Sequence, residues 1–251
     1  MVLTVHHLGI SQSERILFLC EELAIDYKVV RHNRDPIAAP DSLKSIPGNS
    51  TGKAPFIEDP EAGITLSESA AICDYILAKN AAGELGSQSL EKKLTKAYGE
   101  PGYVDFIYWY HFSNGTLQAL MNRFTFFEIG QIPQDNTAQK FSMHGLHETL
   151  ELMDERLKNN RWLAGDDFTV ADIMSVYSFT SKRYFGPLVS FKDYPNIVRY
   201  LKDIGDRPAY QRAMEKGDPE MKLLLGAEPP EKTLIQAGGV KSDFWKKKSH
   251  I

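Results

Sequence analysis

Three short stretches near the N-terminus carry side chains suited to holding a charged small molecule. In "HHLGISQSERILFLCEEL", Ser11 and Ser13 stand just ahead of an amphipathic run, with Ile16, Leu19, Cys20 and Leu23 at helical spacing. A hydroxyl at a helix start either caps unpaired N–H groups or donates to an anion held against the helix's positive end. A thiol with an ordinary pKa, about 8.5, is mostly protonated at neutral pH. Lowering it by about two units takes roughly 2.7 kcal/mol, within reach of one charge-assisted hydrogen bond plus a helix end. Placed four residues before Arg15, Ser11 is the candidate donor to such a thiolate, and this chemistry needs no general base.

The second stretch is "GKAP", Gly52 to Pro55. A proline entering a strand removes a ladder donor, and a cis bond there turns the preceding peptide outward. Ala54 would then offer an extended peptide a short strand-like pairing. The third is "TLSESAAI", with Ser67, Glu68 and Ser69 where a strand meets a helix. A carboxylate fits the helix start and an ammonium fits Glu68, so one ligand bearing both groups suits the pair. Ordinary capping and an ordinary turn are the plain explanations of each stretch alone; their order along the chain is more specific.

The elements that must position these residues follow from periodicity. Val2–Leu8 is an expected strand, the run after Ser13 a helix, and Ile25–His32 a second strand, giving a parallel crossover. A Pro-, Gly- and Ser-rich loop with one short helical turn comes next. "KAPFIED" and "GITLSE" form a hairpin, followed directly by a helix containing Ile72, Tyr75 and Ile76. After the small, polar stretch Asn80–Ser89 the periods are helical as far as about Lys216. The expected organisation is an α/β domain over 1–82, an all-α domain over 90–220 and a tail over 221–251 that ends in "FWKKKSHI", taken as a solvated terminus.

Bulk properties bound the function. The net charge of −4 argues against a nucleic-acid binder. No run approaches the roughly 18 apolar residues of a membrane span, and the start lacks a secretory pattern. Cys20 and Cys73 form no CxxC, and two isolated thiols point to buried, inert cysteines in a reducing compartment. A soluble cytoplasmic protein is expected.

The ordered set of Ser before the first helix, "GKAP" and "SES" resembles that of the two-domain cytosolic glutathione transferases, most nearly the fungal and bacterial Gtt-like group. "YWYHFSNGTL", "FTVADI" and "YPNIVRYLKDIGDRPAYQRAMEKG" extend the resemblance over roughly residues 3 to 216. It implies a thioredoxin-like N-terminal domain plus an all-α C-terminal domain. It also implies glutathione as co-substrate, no metal, and a homodimer. By the same resemblance Ser11, with Ser13 as second candidate, stabilises the glutathione thiolate. Ala54 beside a cis Pro55 pairs with the cysteinyl backbone, Glu68 and Ser69 hold the γ-glutamyl end, and Lys53 meets the glycyl carboxylate or nearby backbone. "FTVADI" supplies a capping box from Thr169 and Asp172, flanked by Phe168 and Ile173, with a structural role. Three departures stand out: "SIPGNSTGKAP" is longer by about two residues, Asn114 replaces an acid common in the family, and the C-terminal tail is longer than is typical of it.

The resemblance implies a second substrate, an apolar electrophile, against the first half of the helical domain. There Tyr108, His111, Phe112 and Asn114 are the candidate lining, on a stripe continued by Leu117, Met121 and Phe124. The implied activity is a glutathione S-transferase adding alkyl or aryl groups to the thiolate. A peroxidase, an isomerase or a biosynthetic tailoring enzyme on the same fold is an alternative, as is a non-catalytic ligand-binding protein. No Cys stands at positions 11 to 13, which disfavours a thiol transferase.

Overall fold

The computed structural model describes residues 2–85 and 93–247. The chain divides into two compact units: Met1–Leu94 with Asp206–Lys222 and Gly239–Ile251, and Thr95–Gly205 with Leu223–Gly238.

In the first unit, β1 (Leu3–Leu8), α1 (Glu14–Leu23) and β2 (Tyr27–His32) form the parallel crossover, with Val5 opposite Val29. α2 is the short turn Asp41–Lys44. β3 (Phe56–Asp59) and β4 (Ile64–Ser67) form the hairpin that leads into α3 (Ser69–Ala81). Sheet order is β2-β1-β3-β4, with β3 antiparallel to β1. This is the expected thioredoxin-like arrangement. Strand alternation sends neighbouring histidines of β1 to opposite faces. His6 stacks on His32 and is bonded to it at 3.1 Å, while His7 bonds Ser13.

The helix α9 (Pro208–Gly217) belongs to this unit, packed along α1. Arg207 just ahead of it makes a two-pronged contact with Glu22, at 2.6 and 2.9 Å, and Arg212 donates to Glu21 at 2.7 Å. Phe18 meets Tyr210 edge to face. Gly239–Lys247 also returns here. Val240 N–H donates to Pro36 O, Lys222 N–H to Trp245 O and Lys247 N–H to Glu220 O. The residues expected as the end of the helical domain and as a tail therefore include two segments of the α/β unit. Asp206-Arg207-Pro208 ends one helix and starts the next with proline in its first turn, where the missing N–H is harmless.

The second unit is helical: α4 (Tyr103–Phe112), α5 (Ala119–Ile129), α6 (Thr137–Lys158), α7 (Val170–Phe179) and α8 (Pro195–Gly205). A π-helical segment, Ser113–Gln118, joins α4 to α5 in one continuous rod. α7 is buried throughout and starts on the expected capping box. Asp172 accepts from Thr169 N–H and Leu163 N–H, both at 2.9 Å, and Thr169 Oγ1 accepts from Ala171 N–H. Residues 223–238 lie along this unit, where Arg183 donates to the carbonyls of Gly226 and Ala227. The expected linker Asn80–Ser89 is only partly within the described residues: α3 runs through Asn80 to Ala81, and residues 86–92 fall outside. The end of "FWKKKSHI" also falls outside.

Candidate glutathione site

Local chemistry decides whether the opening serines are caps. Ser13 is the N-cap of α1, yet its side chain makes no capping bond. Its Oγ turns back to the sheet instead, 2.9 Å from His7 Nδ1 and 3.2 Å from the Leu8 N–H that donates to it. Ser11 Oγ lies 2.6 Å from Ser13 Oγ and accepts from Ser13 N–H at 3.3 Å. Both hydroxyls are buried, Ser11 with 4% exposure. The pairing of the two hydroxyls draws them under the turn.

From Ser11 the site continues along a row of hydrogen bonds. The Gln12 amide reaches the Ala54 carbonyl at 3.4 Å, and Arg15 Nη1 touches Gln12 Oε1 at 3.3 Å and Ser69 Oγ at 3.2 Å. The Ala54–Pro55 bond is cis, and Ala54 packs in a small buried cluster with Leu8 and Leu43. Buried Asn49 braces the approach, its amide donating to Leu43 O and Lys53 O. Lys53 itself is exposed.

Glu68 starts α3 with φ +72°, a region costly for a residue with a Cβ, and also makes no capping bond. The strained turn leaves its carboxylate exposed while Ser69, next along, is buried against Arg15. Five of the residues singled out from sequence, Ser11, Ser13, Ala54, Pro55 and Ser69, are thus brought together at one end of the sheet, with Glu68 and Lys53 beside them. Sequence reasoning missed Gln12, Arg15 and Asn49 as the links, and His7 with Asp218 behind the serines. Strand alternation could have turned His7 toward Ser13. Nothing local pointed to Asp218.

In the helical unit, Tyr108 is 49% exposed and stacks on Phe112, which is buried. His111 is exposed, and Asn114 is half-buried within the π-helical segment. Leu117, Met121 and Phe124 are core. A cavity of about 430 Å³ in this unit shares only Phe124 with that stripe and is otherwise lined by Glu128, Met143, His144 and Leu188 among others. Cys20 and Cys73 are buried thiols outside any disulfide, and burial pushes the Cys73 thiol up to about 12. Among the described residues no group of His, Cys, Asp and Glu is arranged to hold a metal.

Comparison with known families places this geometry. A glutathione S-transferase N-terminal domain model matches residues 11–79, and the corresponding C-terminal domain model matches 109–208. The chain belongs to the glutathione transferase family. Glutathione S-transferase 3 of Schizosaccharomyces pombe is 29% identical over 221 residues, covering 86% of this chain and 88% of that protein. A crystal structure of a glutathione S-transferase from Actinobacillus pleuropneumoniae superposes with a TM-score of 0.71 at 26% identity, covering 86% of this chain and 93% of that one. The probable elongation factor 1-gamma 1 of Arabidopsis thaliana is 25% identical over 92% of this transferase-family chain, which spans 58% of that protein.

Proposed function

We propose that this member of the family binds glutathione along the end of the four-stranded sheet, ionises its thiol at Ser11 and adds the thiolate to an apolar electrophile. The observation that carries this reading is the row Ser11, Gln12–Ala54, Arg15–Ser69, which gives a tripeptide three successive stations. A hydroxyl meets the sulfur. The peptide before cis Pro55 meets the cysteinyl backbone. The Arg15 charge beside Ser69 favours the α-carboxylate of the γ-glutamyl end, with the Glu68 carboxylate at hand for its ammonium. Lys53 meets the glycyl carboxylate. Tyr108, His111, Phe112 and Asn114 are proposed as the acceptor's surroundings, and a cytoplasmic homodimer as the working form. Among the described residues no helix is long and apolar enough to cross a membrane.

Conjugation of an aryl halide tests the chemistry. Ser11→Ala should lower kcat/KM on the order of a hundredfold, the usual cost of one donor to a developing anion. Retention on immobilised glutathione should survive the change. Similarity to an elongation factor subunit favours a second reading, a non-catalytic carrier of the fold. Absence of conjugation in wild type, with retention intact, would select it.

A further inference from the structure

Behind Ser11 a row of buried side chains runs inward: Ser11 Oγ to Ser13 Oγ at 2.6 Å, Ser13 Oγ to His7 Nδ1 at 2.9 Å, and His7 Nε2 to Asp218 Oδ2 at 3.1 Å. His7 and Asp218 are 1% and 3% exposed. Asp218 also accepts from Ile10 N–H at 3.1 Å. Burial works to raise its carboxyl, but the contact with His7 and the hydrogen bond from Ile10 outweigh it and hold the group below the usual carboxylate range. The other charged or titratable groups around this pair are Arg31 of β2, paired with Glu220 at 3.0 Å, and His32, which is bonded to His6 and Ser42.

Hydrogen-bond valence gives the row two settings that join Ser11 to His7, while the Leu8 carbonyl, 3.4 Å from Ser13 Oγ, is a further acceptor for the Ser13 hydroxyl. A carboxylate only accepts, so His7 Nε2 carries a hydrogen in both. With His7 neutral, Nδ1 accepts from the Ser13 hydroxyl, Ser13 Oγ accepts from Leu8 N–H and from the Ser11 hydroxyl, and Ser11 keeps one lone pair that this row does not fill. With His7 as imidazolium, Nδ1–H donates to Ser13 Oγ and the Ser13 hydroxyl donates to Ser11. Both Ser11 lone pairs are then filled, by Ser13 O–H and Ser13 N–H, and only its own hydrogen is left to donate. The first setting receives an S–H; the second holds an S⁻.

We propose that the Ser11–Ser13–His7–Asp218 row is a proton relay that takes the thiol proton of bound glutathione to His7. This rests on the reading above, that the sulfur sits at Ser11. The S–H bond breaks with its electron pair left on sulfur. The proton passes to Ser11 Oγ, the Ser11 proton to Ser13 Oγ, and the Ser13 proton to His7 Nδ1. Thiol and neutral imidazole become thiolate and imidazolium, and the Asp218 carboxylate, unchanged, balances the buried cation. Once sulfur has bonded to the acceptor, the imidazolium returns its proton outward along the same hydroxyls to solvent. His7 and Asp218 are positioning residues in this scheme, acting on sulfur only through the serines. The relay gives the thiol proton a destination at His7, reached through the serines, where the sequence suggested that no base was needed.

The His7 ring, followed by nuclear magnetic resonance in the unmodified protein, is the test. At a pH where the ring of the free protein is neutral, glutathione should convert it to imidazolium. S-methylglutathione, which has no thiol proton, should leave it neutral. Asp218→Asn should shift formation of the bound thiolate, read by its ultraviolet absorbance, to higher pH, and lower conjugation at neutral pH at least tenfold. That deficit should close in alkaline solution, where solvent removes the proton, which a general loss of structure would not produce. A bound thiolate beside a His7 ring that stays neutral overturns the relay and leaves the site reading intact. So does an Asp218→Asn deficit equal at every pH. Failure of glutathione to bind at all overturns both.

Discussion

A hydroxyl's usefulness to an anion depends on where its own hydrogen is committed, and here that is decided one bond deeper, at Ser13. Ser13→Ala should therefore impair conjugation nearly as much as Ser11→Ala although its hydroxyl is wholly buried, and the double variant should cost little more than either alone. Rates of the two singles and the double decide it; additive losses would mean that the serines act separately. The cysteines make a contrasting prediction. Burial raises both thiols, Cys73 to about 12, so an aromatic disulfide reagent at pH 8 should label neither until the protein unfolds. Ser11 and the Glu68–Ser69 pair were legible because turn chemistry is local: a hydroxyl before a helix and an acid at a strand end are visible in a few letters. His7 and Asp218 were not, since 211 residues separate them and neither carries a motif.

Helices and strands were legible wherever one face is apolar. The crossover, the hairpin and the Thr169–Asp172 box emerge from spacing alone. Asp172→Ala leaves the buried N–H groups of Leu163 and Thr169 unpaired and should cost about 3 kcal/mol by chemical denaturation, without altering glutathione affinity. The π-helical Ser113–Gln118 was hidden, because one wider turn barely disturbs a helical period; its Ser-Asn-Gly run is the only hint. The attachment of α9 to α1 was hidden too, being written in charge rather than periodicity. Burial works to raise Glu21, but hydrogen bonds from Lys216, Arg212 and Tyr27 outweigh it and depress its pKa. A depressed acid contributes stability that is present above its unfolded value of 4.5 and lost as pH falls through that value and on through the folded one. Acid should therefore loosen α9 early, and Glu21→Gln should flatten this part of the stability profile while lowering stability at pH 7.

At the scale of the whole chain, the change in periodicity after residue 80 separates an α/β class from a helical class, and both are present. What composition cannot show is the return of the chain: residues 206–222 join the first unit, 223–238 the second, and 239 onward the first again. Long-range pairing of this kind is set by shape. Gly239, with φ +95°, passes so close to Pro36 that a Cβ there would stand 2.5 Å from its carbonyl oxygen, so only glycine lets the final segment lie down. Once down, that segment grips the stretch carrying Asp218, through Lys222 N–H to Trp245 O at 2.8 Å and Lys247 N–H to Glu220 O at 2.7 Å. If this strap fixes Asp218, Gly239→Ala should free it without touching any residue of the glutathione site. The expected result is faster hydrogen exchange at the Lys222 amide and weaker conjugation at neutral pH that recovers in alkali, the same signature as Asp218→Asn. Stopping the chain after Gly238 should reproduce it. Unchanged exchange at Lys222 in both variants would show that the stretch after α9 holds its own shape, and that Asp218 is placed by Ile10 and His7 alone.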